Sequence, residues 1–278
     1  MNHQKPVHSG QKNIDDYTMP VIVRAREYFL YDRFGTRYLD FYQNNGRAIL
    51  GHRPQGVQRA LKSTVSRGLV AEYPSLYTGR LEKLMTHVIP SHPFVRVYRD
   101  ERSLQEALHE VVGDKAFSPH DPLSGDCGKD SELAYWRPYL GLCGEESAIL
   151  LPILPFPGSF TPKVVCLRDE KLAQAMPSSE TCSPLLLELL IRSTVALQAS
   201  LKDVSLMWND PFQGAFGVPR GPYVTTGLDA ERYELFRREA LACHIVVPPT
   251  PGEPIILPPR WSQGDVAGLV RVAQSFSR

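Results

Sequence analysis

Apolar residues in this chain recur at two spacings, and the spacing changes along its length. Tyr28, Phe29, Leu30 and Tyr31 form a compact run. Arg33-Phe34-Gly35-Thr36 supplies a turn, and Arg37-Tyr38-Leu39-Asp40-Phe41 then alternates polar and apolar. That pattern predicts a β-hairpin over 27–42. From Pro54 the spacing becomes three and four. Val57, Ala60, Leu61, Thr64 and Val65 share one helical face, with Gly68 as the stop. A second helix is expected from Thr78, its cap, with Leu81, Leu84, Met85 and Val88 inward and Pro90 beyond its end. Residues 94–98 predict a strand, and 103–112 a helix capped by Ser103.

Between 116 and 143 no period survives. Pro119, Pro122, Gly125, Gly128, Pro138 and Gly141 predict an irregular insertion there. Residues 148–154 and 163–168 predict strands on either side of a proline-rich turn. Residues 185–201, behind Ser183-Pro184, predict the longest helix. Its start is apolar nearly all round, which suits deep packing or a subunit interface. The tail predicts a helix at 230–243, strands at 244–247 and 255–257, and a last helix capped by Ser262.

Composition narrows the class. The 278 residues are 42% apolar and 22% charged, an ordinary globular balance that rules out a disordered, collagen-like or coiled-coil chain. The net charge of +1 gives no field to recruit nucleic acid or an anionic membrane. No run reaches the roughly eighteen apolar residues of a membrane span, and the first residues lack a signal-peptide core. Cys127, Cys143, Cys166, Cys182 and Cys243 are odd in number and form no C-x-x-C pair. Free thiols in a reducing, cytoplasmic compartment are expected. His87 and His92 straddle Pro90 and share no helix face, so no metal site is expected.

Phosphate loops fail on their glycines. Gly128-Lys129-Asp130 holds a Gly-Lys pair, but Leu123 stands where the first glycine of a P-loop must be, and no G-x-G-x-x-G follows a strand. There is no G-x-S-x-G elbow.

An ordered set over 27–68 carries a resemblance: Tyr31-Asp32, Gly35, Tyr38-Leu39-Asp40-Phe41, Gly51-His52, Pro54, Val57 and Ala60-Leu61. It resembles the N-terminal signature of class III pyridoxal-phosphate aminotransferases, the group that includes glutamate-1-semialdehyde aminomutase. Ser75-Leu76-Tyr77-Thr78 is similar to the family's next segment. Ser179-Glu180-Thr181-Cys182-Ser183-Pro184-Leu185 is similar to its Gly-Thr-x-x-x-Asn-Pro-Leu stretch, and 220–276 to its C-terminal small domain. The resemblance implies an α+β or α/β fold of fold-type-I architecture. It implies pyridoxal phosphate as cofactor and a dimer whose threonine, here Thr181, reaches the neighbouring subunit's cofactor phosphate.

The middle departs from that pattern. Arg99-Asp100-Glu101-Arg102-Ser103 stands where the family places a glycine- and serine-rich phosphate loop, leaving Ser103 as the phosphate-binding candidate. Of the family's aromatic-His pair only Phe117 and His120 fall in the region. The strand at 148–154 ends without the acid that faces the pyridine nitrogen, and the Schiff-base lysine position falls near Pro155. Lys163 is the nearest lysine and Lys171 lies beyond it.

The expected organisation is a flexible or partner-supported arm at 1–20, small-domain pieces at 21–92 and 200–278, and a shortened remnant of the large cofactor domain at 93–199. Three functions fit. One is a catalytically degenerate aminotransferase relative that acts as an interaction or regulatory scaffold, its cofactor lost with its site. A second is an active aminotransferase or aminomutase using Lys163 or Lys171 with Thr181. A third is a small-ligand binder that holds a carboxylate near Arg47 or Arg53. A homodimer or heteromer is expected, with any unpaired sheet surface covered by a partner.

Overall fold

The computed structural model describes residues 19–113, 119–124, 131–141, 146–156, 158 and 160–276. Strands β1 (Ile22–Arg26), β2 (Phe29–Asp32) and β3 (Arg37–Asp40) open the chain. Helices α1 (Val57–Ser66) and α2 (Leu76–Val88) follow, then β4 (Phe94–Tyr98) and α3 (Glu101–Val112). The middle supplies β5 (Leu133–Trp136), β6 (Ile149–Pro152), β7 (Lys163–Leu167) and the short α4 (Glu170–Ala175). The remainder is α5 (Pro184–Leu201), β8 (Tyr223–Val224), α6 (Ala230–Ala242), β9 (Ile245–Val246), β10 (Ile255–Ile256) and α7 (Gln263–Phe276).

The hairpin is stapled locally. Asp32 Oδ1 accepts from the backbone N–H groups of Phe34 and Thr36 at 2.8 and 2.9 Å, and Gly35 takes φ +83° in the same turn. This aspartate-centred turn is the physical content of the Asp-Arg-Phe-Gly-Thr stretch. β1, which the sequence analysis left out of the hairpin, pairs antiparallel with β2. Four of its five residues are exposed, so it carries no burial pattern to read. β9, from the far end of the chain, completes this sheet by pairing parallel with β3.

The central sheet runs β4-β7-β6-β5. β7 is antiparallel to both neighbours, and β5 is parallel to β6. One face packs on α2 and α5 through Leu81, Met85, Val97, Leu150, Cys166 and Leu190. The other packs on α3 and α4 through Leu104, Leu108, Val165, Leu167 and Ala173. A second core joins β3 and β9 to α6 and α7 around Phe41, Phe212, Phe236 and Leu269.

Helix starts moved from where the sequence put them. Ser75, not Thr78, caps α2, accepting from Tyr77 N. Asp100, not Ser103, caps α3, accepting from Ser103 N at 2.9 Å. In both places several cap-forming residues lie within three positions, and packing chose the earlier one. The aperiodic stretch contains β5, whose Leu133, Ala134 and Trp136 are all buried. A strand covered on both faces shows no alternation.

Both edges of the central sheet are covered by the chain itself. At β5, His120 N donates to Leu133 O and Tyr135 N donates to His120 O, each at 2.9 Å. At β4, Val97 N donates to Ser179 Oγ at 3.0 Å and Glu180 N to Val97 O at 2.8 Å. The sheet therefore needs no partner to satisfy these edge positions.

α5 has the length and apolarity of a membrane span, with a mean hydropathy of 1.3 over 18 residues, and half of it is buried inside the protein. Its Leu187, Leu190 and Leu197 are fully covered, and Glu188, Ser193 and Thr194 are buried with them. It is a core helix, packed on α1 and α2. Half of the helix is used within the chain, while Val195 on it stays exposed. Exposed apolar side chains also lie at Leu61, Val65, Leu69, Val70, Tyr73 and Leu76.

Candidate functional site

Because β7 runs opposite to its neighbours, the carboxyl ends of β4, β5 and β6 share one end of the sheet with the amino end of β7. The register makes this explicit, pairing Tyr98 with Lys163 and Trp136 with Pro152. In open α/β sheets, ligand crevices form at the carboxyl ends of the strands.

Arg137 is the residue immediately after β5 and is almost fully buried. Its Nε donates to Asp121 Oδ1 at 2.9 Å and its Nη2 to Asp121 Oδ2, a bidentate pair. Nη1 donates to Asn45 Oδ1 at 3.2 Å, and the guanidinium lies 5.5 Å from the Tyr223 ring centre. Arg220 adds a second tie, donating from Nη1 to Pro122 O at 2.6 Å. Burial raises the Tyr223 phenol. The Tyr135 phenol is raised first by burial and then by Glu101, while Arg137 and Arg47 oppose the rise. Glu101, Asp121, Arg47 and Arg137 thus gather around the end of β5.

Above them sits a turn with four consecutive positive φ values, at Gln43, Asn44, Asn45 and Gly46. Such a run costs free energy and persists only where its surroundings hold it. Asp40 Oδ1 accepts from Tyr42 N and Gln43 N at 2.9 Å each, Asp40 Oδ2 meets His52 Nε2 at 2.8 Å, and Gln43 Nε2 donates to Ile256 O at 2.9 Å. Gly51 has φ +81°, and a Cβ there would stand 3.0 Å from Glu27 O. The Gly51-His52 element is therefore an anchor for this turn.

Lys163 does reach the sheet end, but its Nζ is paired with Glu101 Oε2 at 2.9 Å. Ser103 offers its N–H to Asp100 Oδ1, and this bond holds the Asp100 carboxyl below the usual range. Thr181 is exposed, two residues ahead of the α5 cap, Ser183. Arg47 lies half-buried beside the strained turn, while Arg53 is on the surface against Gln58 at the start of α1. Lys171 is exposed on α4, and His120 serves the β5 edge. Phe117, Lys115 and Lys129 lie outside the described residues. Among the described residues no group of His, Cys, Asp or Glu could hold a metal ion. Sequence reasoning missed Arg137, Asp121 and Tyr135. The only signal for them was the short apolar run 133–136 closed by an arginine.

Pyridoxal phosphate needs a cradle of free N–H groups for its phosphate, an acid at its ring nitrogen and an available lysine. At the start of α3 the Ser103 N–H is filled by a carboxylate, with Glu101 beside it. A guanidinium ends β5, and Lys163 is held in an ion pair. The described residues do not fit the group.

No family model matches the chain. An uncharacterized protein of Borreliella burgdorferi is 27% identical over 249 residues, 89% of this chain and 88% of that protein. Glutamate-1-semialdehyde 2,1-aminomutase of Heliobacterium modesticaldum is 35% identical over 79 residues, 28% of this chain and 18% of the enzyme. Among solved structures, an omega-transaminase from Sphaerobacter thermophilus superposes with a TM-score of 0.63 at 14% identity, covering 92% of this chain and 90% of that one. The chain has the mixed α/β fold-type-I architecture of aminotransferases.

Proposed function

We propose that this aminotransferase-fold protein is a shortened, catalytically degenerate relative of the class III enzymes, and that it works by binding as an interaction or regulatory scaffold. The observation that carries this is the charge arrangement at the sheet end. By the resemblance, Asp100 and Glu101 take positions of the family's phosphate loop, and Glu101 neutralises Lys163 at 2.9 Å. Carboxylates at these positions disfavour a dianion.

The test is to add pyridoxal phosphate to the folded protein, reduce with borohydride and map modified lysines by peptide mass. No stoichiometrically labelled lysine is expected. One fully labelled lysine, wherever it lies in the chain, overturns the proposal and restores an aminotransferase or aminomutase reading.

The scaffold is further proposed to be a homodimer. Leu61, Val65, Leu69, Val70, Tyr73 and Leu76 form an exposed apolar stretch running from α1 to the start of α2, a feature that marks association surfaces. Light scattering in solution should give twice the chain mass of 31.2 kDa. A monomer mass at all accessible concentrations would refute this.

A further inference from the structure

A cavity of about 410 Å³ opens beside the end of β5. It is lined by Trp136, Tyr139 and Trp208, by Ser200 and Leu201 at the end of α5, and by Asp203. Its size falls in the range of small-molecule sites. The Tyr139 and Trp208 rings pack against each other, their centres 4.6 Å apart at 60°, and together form one aromatic side of the cavity. Tyr139 is held in place by a 2.7 Å hydrogen bond between its hydroxyl and Ser200 Oγ.

Three features of this cavity favour positive charge. Aromatic faces attract cations through the ring quadrupole. The cavity lies at the carboxyl end of the 18-residue α5, whose Ser200 and Leu201 line it, and a helix carries roughly half a negative charge at that end. The Asp203 carboxylate accepts from Ser205 N and Oγ, at 3.0 and 2.6 Å, and has no ion-pair partner among the described residues. Those bonds lower its pKa, so it stays ionised at neutral pH. One lining group opposes: Arg137. Its charge is cancelled at short range by the bidentate pair with Asp121, whereas Asp203 is uncompensated. Lys202, the α5 cap, is exposed to solvent.

We infer that this cavity is a binding site for a small organic cation, an alkyl- or quaternary ammonium group seated in the cavity against the packed Tyr139–Trp208 pair, with Asp203 at its rim. The inference stands whether or not the protein retains cofactor chemistry, since it uses none of Lys163, Ser103 or Thr181.

The probes are choline and its neutral carbon isostere, 3,3-dimethylbutan-1-ol, titrated at constant ionic strength with tryptophan fluorescence and calorimetry as readouts. Choline should bind roughly tenfold tighter than the isostere, in line with a partly desolvated cation–π site. Asp203→Asn should weaken choline several-fold and leave the isostere unchanged. Trp208→Ala should abolish both. Asp203 is exposed, so its variant reports even where Trp208→Ala fails to fold. Equal binding of the two probes, no binding of choline to the wild type, or an Asp203→Asn variant that binds choline as tightly as the parent would each overturn the assignment.

Discussion

Arg137→Ala is expected to remove about 3 kcal/mol of stability, within the range for stripping one partner from a buried ion pair. At 2–4 °C per kcal/mol for a chain of this size class, the melting temperature should fall by roughly 10 °C. The cost comes mostly from what is left behind. Asp121 is mostly buried and its carboxylate takes two of the Arg137 donors. Asn45, which sits in the strained turn at φ +54°, loses the donor Arg137 Nη1. A turn held in an unfavourable conformation needs such restraints. Arg137→Lys should recover only part of the loss, because an ammonium cannot form the fork. Adding Asp121→Ala to Arg137→Ala should restore more than half of the single-variant loss, since no charge is then stranded. A thermal melt in which Arg137→Ala costs under about 1 kcal/mol, or a double variant no better than the single, would show that the pair is not what holds the end of β5.

Phe236→Ala should cost about 3–5 kcal/mol, the range for truncating a fully buried aromatic. Phe236 is completely covered on α6, with Phe216 at 5.2 Å, Phe276 at 5.7 Å and Tyr233 at 6.0 Å between ring centres. Removing the ring leaves a cavity bounded by three other aromatic groups that cannot collapse without moving α7. The loss is not confined to the C-terminal helices. β9 follows α6 directly and is the strand that binds β3, through Leu39 N to His244 O at 2.9 Å and Phe41 N to Val246 O at 2.8 Å. Denaturant unfolding followed by circular dichroism should show a lowered midpoint for the whole transition. Leu235→Ala, one residue away but half exposed, should shift it by less than about 0.5 kcal/mol. Equal shifts for the two variants would mean that the aromatic cluster contributes little.

Two very different contributions shaped the site. Residues whose role is local were readable: Gly35 in its turn, the spacing that buries Ala60 and Thr64 on α1, Pro184 opening α5, and Ser262 at the start of α7. Short-range chemistry fixes these, so a window of a few residues contains the whole cause. Caps shifted by three positions at both α2 and α3, where neighbouring Ser, Thr and Asp residues compete for the same job. The choice between them was made by packing elsewhere.

The cluster itself had no such window. Arg137 meets Asp121 across 16 positions and Asn45 across 92, and Tyr139 meets Ser200 across 61. Lys163 stands out as a lysine near a proline turn, yet only the tertiary structure shows that it answers to Glu101 across the sheet end. By itself the sequence determined most of the longer elements, though not β1, β5 or α4, together with the α/β class and the absence of a phosphate-loop glycine after β4. The tertiary structure decided which charges face each other, because β7 runs antiparallel between β4 and β6 and so brings strand ends that are remote in sequence to one end of the sheet. Electrostatic pairing depends on distance in space, and a chain folded this way places its strongest charge contacts between residues whose separation along the sequence carries no periodic signal.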